Sequence, residues 1–107
     1  MNPRPGGLAL HSLWEFRGPI SRADAALLAE GWKPKPGRKP LPFERKQSGN
    51  SLAGLSACSG TGMGFCRYDY QWQHQTLAVV TIPGPKDGGI GAQLVSSCSM
   101  QRWRWFF

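Results

Sequence analysis

The sequence predicts a single small α+β domain, residues 1–107, in which one N-terminal helix at about 22–30 packs on a three- or four-stranded antiparallel sheet built mainly from 65–107. The sheet is read from residues 65–74, where Cys66, Tyr68, Tyr70, Trp72 and His74 alternate with Arg67, Asp69, Gln71 and Gln73, the two-residue period of a half-buried strand. The helix is read from a run of Ala and Leu closed by Gly31. The length suits one domain, and 14 Gly with 9 Pro give loops a large share of it.

Taken in order, residues 1–7 are polar and turn-rich and read as a loose arm. Leu8 to Phe16 fits a helical face and a strand face alike, with strand preferred, and Gly18-Pro19 ends it. Ser21 followed by Asp24 resembles a capping box, with the carboxylate placed at the positive end of the helix. Gly31 supplies the left-handed residue that stops the helix, and Trp32 falls where such a terminus folds an apolar side chain back onto Leu27.

Residues 33–50 form a basic Pro-rich arm. Pro34, Pro36, Pro40 and Pro42 remove donors and fix the backbone, so neither helix nor central strand is expected there. Residues 51–64, with four glycines among Ser, Ala and Thr, read as a loop or a short apolar turn around Leu52 and Leu55. Strands are expected at 65–74, at the β-branched run 76–82 and at 92–107, with Pro83 to Gly89 connecting the last two. Since Gln75 and its neighbours lack a turn-forming Gly or Asn, 65–82 also reads as one bent strand.

Thirteen Lys and Arg against six Asp and Glu leave +7, a field that favours nucleic acid or an acidic protein surface. Most of it is concentrated in the arm, where Lys33, Lys35, Arg38, Lys39, Arg45 and Lys46 face Glu44 alone. Cations on a stiff backbone can follow a phosphate chain. The tail Gln101-Arg102-Trp103-Arg104-Trp105-Phe106-Phe107 interleaves cations and indoles, so a strand there presents Trp103 and Trp105 on one side and Arg102 and Arg104 on the other. The leading expectation is therefore non-enzymatic binding of RNA or DNA through the arm and the tail. An accessory or inhibitor protein of a phage or mobile element, binding another protein, is the alternative.

Other chemistries find less in the chain. Cys58, Cys66 and His74 are spaced eight apart, unlike the close ligand pairs of zinc knuckles, so buried thiols are expected and neither a metal nor a cofactor. Gly54-Leu-Ser56-Ala-Cys58 lacks the closing glycine of a nucleophile elbow, and the 59–64 glycines lack the lysine of a phosphate loop. His11, His74 and a cation such as Arg67 or Lys86 make the minimum inventory of a metal-free RNase-type toxin. An odd cysteine count without a leading signal-like apolar run points to a reducing, cytoplasmic compartment, and no window reaches the ~18 apolar residues of a membrane helix.

Overall fold

The computed structural model of the chain describes residues 16–59, 64–83 and 93–102, with residues 101 and 102 described by their backbone alone. Among the described residues two helices, α1 (Ile20–Ala29) and α2 (Pro42–Ser48), accompany five strands: β1 (Lys33–Pro34), β2 (Leu55–Cys58), β3 (Cys66–Trp72), β4 (Gln75–Pro83) and β5 (Gln93–Arg102). All pairings are antiparallel, in the order β1-β3-β4-β5 with β2 also on β3, so the five strands occupy four positions across the sheet. The expected arm at 1–7 and all of the strand expected at 8–16 except Phe16 lie outside the described residues, as does the 84–89 connector.

The alternation expected of 65–74 holds through Trp72. Tyr68 and Tyr70 are fully buried with Leu77, Val79 and Val95 from β4 and β5, and Ile20, Ala23 and Leu27 of α1 close the core over them. Two strands, not one bent one, follow: Trp72 pairs with Gln75 across a two-residue turn in which Gln73 takes a φ of 56°. This is the left-handed conformation that Gly or Asn would adopt more easily.

The start of α1 departs from the expectation. Pro19 occupies the N-cap position and no side chain caps the helix. Asp24 is instead buried and accepts a hydrogen bond from the Tyr70 hydroxyl at 2.7 Å. The helix end is as expected: Gly31 adopts φ 103°, its N–H reaches the Leu28 carbonyl at 3.1 Å, and Trp32 N–H reaches Leu27 at 3.0 Å. That pair of bonds closes the last turn of the helix and turns Trp32 into the core beside Leu27.

Within 33–50 the exclusion of helix is corrected by α2. Proline costs a helix interior a hydrogen bond, but Pro42 is the first helical residue, where its missing N–H had no partner to lose. The 43–48 segment contains no further proline, and Gly49 at φ 71° stops it. Likewise 51–64 is not only loop. Leu55 to Cys58 forms β2, because the open edge of β3 offers it a ladder and Leu55 a place in the core.

The expectation of buried thiols is corrected for two of the three cysteines. Cys58 and Cys66 are joined by a disulfide. They stand directly opposite each other on β2 and β3, with Cα atoms 3.9 Å apart, and the neighbouring Ser59 N–H to Phe65 carbonyl bond makes theirs the closer, non-hydrogen-bonded type of pair. Cys98, on β5, remains a thiol, and its burial raises its pKa to about 11.

Candidate functional site

The candidate site lies on the face of the sheet away from the two tyrosines, where β3 presents Arg67, Asp69 and Gln71. Asp69 marks the point at which the outer edge of β3 changes partner. Its carbonyl accepts the Lys35 N–H at 2.8 Å, just past β1, and its own N–H donates to the Gly54 carbonyl at 2.9 Å, just before β2.

A bulge then re-aims one side chain. Leu55 faces Tyr68 and Ala57 faces Arg67, which leaves Ser56 as the extra residue of β2. Its hydroxyl donates to the Asp69 carboxylate at 2.5 Å and accepts the Gly37 N–H at 2.9 Å. Asp69 also accepts from the Arg67 guanidinium at 3.0–3.2 Å. Thus one carboxylate, through Ser56 and its own backbone, fixes the path of the Pro-rich segment across the sheet. The result is a shallow groove of about 400 Å³, with Lys35, Arg38 and Arg67 around a floor of Ser56, Asp69 and Thr76.

Glu44 was not singled out by its sequence, yet it organises the arm. Buried at the start of α2, it accepts from Arg38 Nη2 at 2.5 Å, from the Leu41 N–H at 2.7 Å and from the Cys58 N–H at 3.1 Å. Arg38 and these backbone donors hold its carboxyl down to about 2 from an ordinary 4.5. A glutamate three residues into a Pro-led helix was the available signal, since it can reach back to the N-cap N–H.

The predicted binding residues therefore separate into two groups. Arg38 is tied to Glu44, although its side chain is still 47% exposed, and Arg45 donates to the Asn50 carbonyl at 3.2 Å. Lys33, Lys35, Lys39 and Lys46 are exposed and enter none of the described ion pairs. Arg102 pairs by its backbone with Gln75, at the end of the sheet that carries the β3–β4 turn, while Trp103, Arg104 and Trp105 lie outside the described residues.

For nucleophilic or metal chemistry the described residues bring less together. The Ser56 hydroxyl both donates and accepts within the fold, so it acts as a latch between Asp69 and Gly37. His74 is exposed at the β3–β4 turn, roughly 20 Å along the strand from Arg67, and His11 and Lys86 fall outside the described residues. No group of three or more His, Cys, Asp or Glu able to hold a metal ion occurs among the described residues. No helix among them is long and apolar enough to cross a membrane.

No protein-family model, no curated protein and no solved structure matches the chain.

Proposed function

We propose that this is a small basic, non-enzymatic protein that binds nucleic acid, with the phosphate chain following Lys33, Lys35, Arg38 and Arg67. The observation that carries the reading is that the Asp69–Ser56–Gly37 latch holds the Pro-rich arm across β3, so that arm cations and Arg67 share one groove. A held set of cations neutralises consecutive phosphates without first losing the entropy of a free loop. In this reading the outer cations Lys39, Arg45 and Lys46 and the tail residues Arg102, Trp103, Arg104 and Trp105 supply further contacts to the nucleic acid.

The test is fluorescence anisotropy of labelled mixed-sequence single-stranded RNA and of duplex DNA at low and moderate salt. Saturable binding that weakens steeply with salt is expected, along with a large loss in a variant carrying Lys33→Ala, Lys35→Ala and Arg67→Ala. Absence of binding at micromolar protein and low salt would remove the reading.

A protein partner is the second reading, supported by Leu41 and Phe43. Both are half exposed at the start of α2 and flanked by Arg38, Lys39 and Lys46, an apolar and cationic pairing that suits an acidic protein face. Recovery of one stoichiometric protein partner, free of nucleic acid, would favour it. The proposed compartment follows the redox state of Cys58 and Cys66. Cytosolic thiol pools keep such pairs reduced, so the disulfide supports an oxidising space over the cytoplasm. Alkylation of protein taken directly from its cells decides between them: labelling at Cys98 alone fits an oxidising space, labelling at all three cysteines the cytoplasm.

A further inference from the structure

Next to the cationic groove lies a second cleft, of about 440 Å³, lined by Gly31, Lys33, Gln71, Trp72 and Gln73. Its volume is in the range of small-molecule sites. Trp72 packs against Trp32, ring centroids 6.0 Å apart at 40°, and, being only partly buried, also lines the cleft. Gln71 and Gln73 bring amide groups to the rim, where the Gln71 Nε2 reaches the Gln73 carbonyl at 3.2 Å. Lys33 stands directly across from Gln71 and contributes the cation.

The cleft and the groove are consecutive along one edge. Lys33 pairs with Gln71, and Lys35 donates to Asp69 two residues further on, so the two cations are separated by roughly 7 Å of extended backbone. An aromatic surface, amides able to meet polar edges, and a cation leading into a row of cations form a combination suited to a nucleotide whose base is unpaired. A duplex buries its base faces in its own stack and cannot offer one.

From this juxtaposition we infer that the protein takes single-stranded nucleic acid, one base entering the cleft to stack on Trp72 at its edge while its flanking phosphates meet Lys33 and Lys35. The inference rests on the nucleic-acid reading above and adds to it the strandedness and the base site. It also places the stacking on β3 and not in the tail alone.

The experiment compares three labelled probes of equal length at one salt concentration: a mixed-sequence single strand, the same backbone made abasic, and a duplex. The base-bearing strand is expected to bind at least about tenfold more tightly than the abasic one, the contribution of a single stacked base. Because Trp72→Leu also touches the core, Gln73→Ala and Lys33→Ala, both at exposed positions, are measured beside it. Each should weaken binding, and Trp72→Leu should bring the base-bearing and abasic strands to one affinity. Equal, salt-sensitive affinity of the wild type for all three probes would overturn the base site while leaving the polyanion reading in place. Failure to bind any probe at low salt would overturn both.

Discussion

The Tyr70 hydroxyl donates to the Asp24 carboxylate across 2.7 Å, joining α1 to an interior strand of the sheet over 46 positions of sequence. Both residues are buried, so removing the phenol hydroxyl takes from the Asp24 Oδ1 its described hydrogen bond in a poorly hydrated place. Tyr70→Phe should therefore cost about 1.5–3 kcal/mol in urea denaturation with an unchanged slope, the range for a hydrogen bond to a charged group. Asp24→Asn, whose amide oxygen still accepts, should cost less. An equal or larger loss in Asp24→Asn would show that the charge, and not the acceptor, holds the helix.

The same burial predicts an alkaline behaviour that is easily read, because Tyr68 and Tyr70 are the only tyrosines in the chain. Burial, and for Tyr70 the facing Asp24 carboxylate, push both phenols above their ordinary value of 10.0. The native state holds its phenolic protons more tightly than the unfolded chain, so this contribution to stability is complete below pH 10 and is lost as pH rises beyond it. Tyrosinate absorbance should appear only together with unfolding, as one cooperative step. A tyrosine titrating near pH 10 while the circular dichroism stays native would contradict the burial.

How much could be read from the sequence follows from the range of the interactions involved. The helix, its Gly31 stop, β3 and β4 were legible because their signals are local: an alanine-rich run, a glycine, a period of two. Asp24 and Glu44 were not. A carboxylate near a helix start has an available local role, and only the tertiary arrangement gives Asp24 to Tyr70 and Glu44 to Cys58, 14 positions on. The disulfide was hidden for the same reason, since eight residues between cysteines mean nothing until β2 and β3 are in register. For the candidate site, composition located the basic arm, but adjacent Arg38 and Lys39 look alike in sequence and differ in the fold. The Trp72 cleft was masked by its strand pattern, which marked the indole as core.

Acid should act at Glu44. Its native pKa of about 2 lies below the ordinary 4.5, so the unfolded chain takes up a proton first as pH falls. The stability it contributes is complete above about 4.5 and is lost as pH drops toward 2. Glu44→Gln should be destabilised at neutral pH, because one of three donors then faces an amide N–H. Its disadvantage relative to wild type should shrink on acidification. A constant gap between the two proteins from pH 7 to pH 2 would mean that shape alone, without charge, accounts for the role of Glu44.

Reduction should destabilise without unfolding outright. The Cys58–Cys66 bond closes a short loop, with a sequence separation of 8, for which chain entropy gives roughly 2–3 kcal/mol. Cys58→Ser with Cys66→Ser, or a reductant added to wild type, should lower the unfolding free energy extrapolated from urea by that amount, and Cys98→Ser protein should be equally sensitive to the reductant. The β2–β3 ladder and the Glu44 bond to Cys58 N–H run through backbone atoms and not through the sulfurs, which is why a folded state is expected to survive. Loss of all cooperative unfolding on reduction would show β2 to depend wholly on the disulfide.

Neutralising individual cations should separate binding from folding. Lys33 and Lys35 are exposed and enter no described ion pair, so Lys33→Ala with Lys35→Ala should leave stability within about 0.5 kcal/mol of wild type. The same variant should flatten the dependence of log affinity on log salt by about 1.4 for a single strand, each lost phosphate contact removing about 0.7. Arg38→Ala should behave differently, weakening binding and also stability, because it leaves Glu44 buried with only backbone donors. An unchanged salt slope in the double lysine variant would take the phosphate chain away from this edge of the sheet. A stability loss as large as that of Arg38→Ala would instead show the two lysines to be part of the fold.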